Sequence, residues 1–155
     1  MGVTGVIDRT TTIKDRSVER GMECEIIASE QQCGSKSLFY VVGVLDPGQH
    51  TGIHVHDDVE IAWFMLEGST FCVMGSFDED DFVIEECEAN SAGYVAPGEL
   101  HLHVNRSESD KAVILMAYVG TNTVEGARGR ELEVPAALQG VLATKSIELS
   151  YPATR

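Results

Sequence analysis

Positive charge is scarce in this chain: 11 Lys and Arg stand against 25 Asp and Glu, a formal net charge of −14. Such a surface repels a phosphate backbone and an anionic bilayer, so no nucleic acid and no membrane is expected as a partner. The charge itself is read as a solubility device. Cysteine is also sparse, and Cys24, Cys33, Cys72 and Cys87 form neither a CxxC pair nor a Cys/His knuckle. Free thiols used as small hydrophobes, in a reducing compartment, follow from that spacing. No apolar run approaches the ~18 residues of a membrane span. The first twenty residues carry acids and lack the apolar segment of a secretory signal, so a cytoplasmic location is expected. Absent too are GxSxG, a P-loop and a dinucleotide fingerprint, which leaves serine hydrolase, NTPase and dehydrogenase readings without support. There is no internal repeat and no low-complexity segment.

What is present is a succession of short β-rich runs. MECEIIAS from Met22, SLFYVVGVL, IAWFML, STFCVM, FVIEECE, AGYVAP, HLHVN and AVILMAYV (112–119) are separated by Gly, Pro, Asn and Asp clusters. None up to residue 119 holds a helical period over a dozen residues, so the pattern predicts an all-β sandwich or barrel. QQCGSKS and GSFDEDD read as a turn and a loop. Pro47-Gly48 and Pro97-Gly98 are turn signals, because Pro fixes φ and Gly accepts positive φ. Residues 1–20 are polar and read as a frayed tail or an arm that adds a strand to a neighbouring subunit. Beyond Gly120 the pattern weakens: TNTVEGARGRE is loop-like, and PAALQGVLATK predicts a short helix with Pro135 at its start. This extension is expected to pack across the β-structure or a partner subunit, since IELSY would otherwise expose apolar surface.

The stretch PGQHTGIHVHDDVEIAWFMLEG, from Pro47 to Gly68, holds three of the five histidines within seven residues. Side chains two apart on a strand share a face, so His54 and His56 project together, with Glu60 just beyond. The second segment, APGELHLHVN, brings His101 and His103. Imidazoles and a carboxylate at face-matched spacing in two turn-bounded strands predict a metal shell of His54, His56, Glu60 and His101. That donor set suits one divalent transition metal, Fe, Mn, Ni, Cu or Zn, without choosing among them. By the same two-residue step His103 and Asn105 should face His101's side, and His50 that of His54. His103 and His50 are therefore the candidates for proton transfer or substrate hydrogen bonding, against the plainer reading that each holds a neighbour in place.

These two segments resemble the paired motifs of the cupin superfamily. Gly48, five residues, His54, His56, three residues and Glu60 follow the first motif; Gly98, His101 and Asn105 follow the end of the second. The resemblance covers roughly residues 40–119. It departs from the pattern at three points. Seven residues rather than six separate Glu60 from Gly68, so a shift by one would put Ile61 where a carboxylate belongs. Ala96 stands in a usual Pro position, and Asn90 in that of the opening Gly. The resemblance implies an all-β double-stranded β-helix, or jelly-roll barrel, forming a single domain over 1–155, with its core at about 22–120 and a C-terminal extension over 121–155. It also implies a homodimer paired through its sheets.

Other side chains carry less. Asp57 and Asp58 could stand in for Glu60 but read better as a solvated turn. Asp78, Glu79, Asp80 and Asp81 lack the spacing of a calcium loop and read as an exposed hairpin. Trp63, Phe64 and Met65 read as core or cavity wall, and Cys72 and Tyr94 as possible lining. The function expected is that of a metal-dependent enzyme acting on a small organic ligand in the barrel. Iron would favour oxygenase chemistry; zinc or nickel would favour Lewis-acid cyclisation or isomerisation. A binding or sensing module without turnover, and a purely structural metal, are the alternatives.

Overall fold

The computed structural model describes residues 4–76 and 81–149. Alternating apolar residues produce two antiparallel sheets that face each other. The first has six strands in the order β1 (Ile13–Asp15), β2 (Met22–Ala28), β3 (Leu38–Leu45), β10 (Ala112–Val119), β5 (Glu60–Glu67) and β8 (Ala92–Val95). The second has five: β11 (Arg130–Glu131), β4 (His54–Val55), β9 (Leu100–Val104), β6 (Ser69–Ser76) and β7 (Asp81–Glu88). This is the all-β structure expected from the strand pattern, in the jelly-roll form that the cupin resemblance implies. Period-two burial is cleanest on β10, where Ala112, Ile114, Met116 and Tyr118 point inward and meet Phe39, Trp63 and Met65 between the sheets.

The five-stranded sheet is covered on its outer face as well. Leu100, Leu102 and Val104 alternate with the histidines of β9 and pack beneath Leu138 and Leu142 of helix α3 (Ala136–Thr144) and beneath Ile147. All five residues of β9 are therefore buried. The C-terminal extension thus packs across its own barrel, and the helix begins just after Pro135, as its sequence suggests. Two readings of the connections need correction. QQC lies in a single turn of helix, α1 (Glu30–Cys33), capped by Ser29. The segment after Gly120 contains another, α2 (Val124–Ala127), capped by Thr123, and also β11. Both Ser29 and Thr123 offer a side-chain oxygen to a first-turn N–H, which the apolar pattern does not register.

The N-terminal arm also differs from expectation. β1 pairs with β2 of its own chain, and residues 16–20 then cross the mouth of the barrel. Gly21, at φ +70°, turns the chain there; a Cβ at this position would strike the carbonyl of His50. Asn90 adopts φ +75°, in keeping with its tolerance of the left-handed region. Of the acidic run, residues 78–80 lie outside the described residues, and Asp81 opens β7. The cysteines are free; Cys24, Cys72 and Cys87 are buried and Cys33 is half-buried. Among the described residues no helix is long and apolar enough to cross a membrane.

Candidate metal centre

β4 and β9 are neighbours, and His54 pairs directly with His101. Residues opposite one another in a ladder share a face, so both rings enter the barrel. His56, just past β4, follows at the same parity. The ring centroids of His54 lie 4.2 Å from His101 and 5.0 Å from His56, and those of His56 and His101 are 5.2 Å apart. One ligating nitrogen of each lies within 4.8 Å of the others, and all three residues are buried.

Their tautomers are prepared for ligation. His54 Nδ1 is 3.0 Å from the Gly52 carbonyl and His101 Nδ1 is 3.1 Å from that of Glu99. A carbonyl only accepts, so each Nδ1 carries the hydrogen and, in the neutral ring, each Nε2 offers a lone pair inward. That is the orientation which backbone carbonyls impose on metal-binding histidines. His54 Nε2 and both ring nitrogens of His56 are buried without a hydrogen bond. Buried polar atoms rarely stay unpaired, and one inward nitrogen from each of the three rings fits a cation that the donor set would coordinate. Burial, then the neighbouring His54, holds the pKa of His101 well below its ordinary value, which keeps the ring neutral.

Glu60 is not among them. It begins β5 at an exposed position, and its carboxylate accepts a hydrogen bond from Tyr94 at 2.9 Å. The reason is parity: Ile61, Trp63 and Met65 face inward on β5, so Glu60 must face out. Ile61 holds the position where the cupin pattern has its acid. Asp57 is exposed and paired with Arg130, and Asp58 is exposed too. Tyr94 lies on the outer face, whereas Cys72 and Trp63 line the inner one.

The carboxylate at the site comes instead from Glu19, in the segment that crosses the mouth. It is 4% exposed. Its Oε2 lies 3.1 Å from His54 Nε2 and its Oε1 lies 3.5 Å from His56 Nε2. Tyr118, on the opposite sheet, donates its hydroxyl to Oε1 at 2.7 Å. Burial pushes the Glu19 pKa up, but the contacts with His54 and His56 outweigh it and leave the carboxyl well below the usual range. Burial likewise pulls His54 down, and the Glu19 contact more than reverses this. The Tyr118 phenol, raised by burial and then by Glu19, keeps its proton. Spacing in sequence misses Glu19, Tyr118 and Thr51, which all line the same interior, because none belongs to a histidine motif. The only local hint is Val18, an apolar residue amid charge whose side chain joins the core.

The two further histidines part company. His103 faces the interior at the same parity as His101, and its Nδ1 lies 2.9 Å from Thr70 Oγ1. Its ring meets the Trp63 indole edge-on at 5.0 Å. Burial lowers its pKa to about 4. His50 does not share the face of His54. It bridges to Val104, whose side chain lies on the outer face, while His54 pairs with His101. Four residues along one strand thus match three along the other. Gly52, at φ +76°, lies within this one-residue bulge, which inverts parity. His50 Nδ1 accepts from the Gly52 N–H at 3.0 Å, so it shapes the turn into β4. Asn105 is structural: its amide donates to the carbonyls of Leu45, Asp46 and Asp110.

The cavity at the histidines is about 10 Å³ and is walled by Ile61, Trp63, Val95 and Met116. Outside Glu19 a groove of about 260 Å³ runs between residues 16–20 and 128–131 and reaches His54.

No protein-family model matches this chain, and no curated protein does. Solved structures do. The chain is similar to the polyketide cyclase RemF from Streptomyces resistomycificus, with 16% identity, a TM-score of 0.64 and coverage of 92% of this chain and 94% of that one. An RmlC-like cupin from Shewanella frigidimarina matches with 16% identity and a TM-score of 0.58 over 77% and 94% of the two chains. An oxalate oxidase matches with 14% identity and a TM-score of 0.62 over 92% and 74%. At such identities the likeness concerns the fold, which is the cupin double-stranded β-helix.

Proposed function

We propose that this double-stranded β-helix is a metal-dependent enzyme acting on a small organic molecule, with His54, His56 and His101 holding one divalent transition metal. The observation that carries the reading is the buried convergence of one nitrogen from each of the three rings, with His54 and His101 turned inward by carbonyl bonds and nitrogens of His54 and His56 left without a hydrogen bond. When bound, zinc or nickel would supply Lewis-acid polarisation for cyclisation or isomerisation, and iron would supply oxygenase chemistry. The names of two proteins sharing the fold, a polyketide cyclase and an oxalate oxidase, support keeping both branches.

The chain's own residues would then bind, orient and exclude water. Ile61, Trp63, Val95 and Met116 make the inner wall apolar, which strengthens every polar contact inside it. His103 holds a proton between Nδ1 and Thr70, and its neutral Nε2 sits beside the Cys72 thiol at 3.8 Å. Its role is to brace the wall behind His101. The groove between residues 16–20 and 128–131 is the approach for the ligand.

A non-catalytic binding module is the second reading, and the small inner cavity favours it. Pairing into a homodimer is proposed through the outer face of the six-stranded sheet, where Phe64, Leu66, Tyr94 and Val119 stand exposed. A cytoplasmic location agrees with the four free thiols.

Elemental analysis of the protein purified without added metal tests the site. One equivalent of Fe, Mn, Ni, Cu or Zn is expected in the wild type, and its loss in His101→Ala. A wild type that stays metal-free after growth with all five supplied would overturn the reading. Iron with substrate-dependent oxygen uptake selects the oxygenase branch, and zinc or nickel without it selects the Lewis-acid branch.

A further inference from the structure

We propose that Glu19 is the carboxylate ligand of the metal held by His54, His56 and His101, and that residues 16–20 form a strap which the metal fastens over the barrel mouth. This rests on the metal centre proposed above and adds a ligand from outside both histidine segments. Two donors at ~2.0–2.2 Å from a shared tetrahedral ion stand about 3.3 Å apart. Glu19 Oε2 to His54 Nε2 is 3.1 Å and Glu19 Oε1 to His56 Nε2 is 3.5 Å, on either side of that value. The carboxylate stands on the His54 and His56 side of a triangle whose three nitrogens lie within 4.8 Å of one another.

His54 Nε2 and His56 Nε2, the atoms nearest the carboxylate, are buried and have no other partner. A cation between the two imidazole nitrogens and the carboxylate would satisfy all of them at once. Glu19 is also the one acidic side chain in the buried set among the described residues. A buried carboxylate is costly unless its oxygens are satisfied, and Tyr118 satisfies Oε1 from the far wall.

The strap is built to hold that carboxylate in place. Asp15 accepts from the N–H groups of Ser17 and Val18, and Val18 is buried in the core between the sheets. Arg20 grips Glu131 with two hydrogen bonds of 2.7 and 2.6 Å. Arg128 donates to the Ser17 carbonyl at 2.9 Å and to its hydroxyl at 2.7 Å. β11, which carries Glu131, pairs with β4, which carries His54. Strap, C-terminal segment and ligand strand therefore form one contiguous unit. Metal binding and strap docking are then linked equilibria, each favouring the other by the same factor.

The test is titration of metal-free protein with Co(II), read by calorimetry and by visible absorption, with hydrogen exchange of the amides of residues 16–21. Glu19→Gln keeps the shape and removes the ligand charge; Glu60→Ala and His101→Ala are the comparisons. Expected are equal affinity and equal spectra for the wild type and Glu60→Ala. Glu19→Gln should bind more than about tenfold more weakly with an altered spectrum. Co(II) should slow exchange in the strap of the wild type but not of Glu19→Gln. If Glu19→Gln does not fold, Glu19→Asp, which withdraws the charge by one methylene, is read the same way. Wild-type affinity and spectrum in the Glu19 variant, with binding lost in His101→Ala, would overturn the strap and leave the metal centre standing. No Co(II) bound by the wild type would remove the centre itself.

Discussion

Acidification offers a measurement of how deeply the second histidine of β9 is embedded. Burial lowers His103 from an ordinary 6.5 to about 4. The unfolded chain therefore takes up a proton below pH 6.5 that the native ring refuses until about pH 4. Stability falls with pH across that window. One pKa unit corresponds to about 1.4 kcal/mol, so the full shift is worth about 3 kcal/mol, and about 2 kcal/mol is already lost at pH 5 relative to pH 8. His101, also lowered, acts in the same sense. His54 is raised, so its contribution is present below 6.5 and fades as the pH climbs through its native value. Glu19 is lowered, so its contribution is lost only as the pH drops below the usual carboxylate range. These three groups are shared with a His103→Gln variant, and the difference between the two proteins isolates His103. Urea unfolding of both chelator-treated proteins from pH 8 to pH 5 is the assay. The wild type should lose about 2 kcal/mol more than the variant. Parallel profiles would refute the burial argument and leave His103 free to exchange protons with solvent.

Two other expectations concern the surfaces around the barrel. Leu138 is fully buried against the outer face of β9, so Leu138→Ala should cost about 2–5 kcal/mol in urea unfolding, and a loss under about 1 kcal/mol would mean that α3 is not a cover. Phe64→Lys places a charge in the exposed apolar face of the six-stranded sheet; light scattering should find a dimer for the wild type and a monomer for the variant. A wild type that is monomeric over the whole concentration range would remove the proposed pairing.

Much of the candidate site was legible because a strand has a period of two. His54 with His56, and His101 with His103, are placed on common faces by that period alone, and the eight apolar runs became strands close to where the pattern puts them. The same rule failed where a single residue shifted the register. Gly52 lies in the bulge that turns His50 away, and nothing in QHTGIH announces that its strand partner is three residues long where it is four. Glu60 failed for the same reason in reverse. Its distance from His56 matched a known pattern, yet inward parity on β5 belongs to Ile61.

The sequence by itself determined the fold class, the histidine pairs and the apolar faces that bury them, since these depend on local periodicity and on neighbours along the chain. Only the tertiary structure decided which carboxylate meets those histidines. Glu19 is 35 residues from His54 and 99 from Tyr118. Its place is set by a turn at Gly21, an apolar anchor at Val18 and arginine contacts to residues 17 and 131. These are contacts between distant segments, and they exist only once the two sheets have closed on each other.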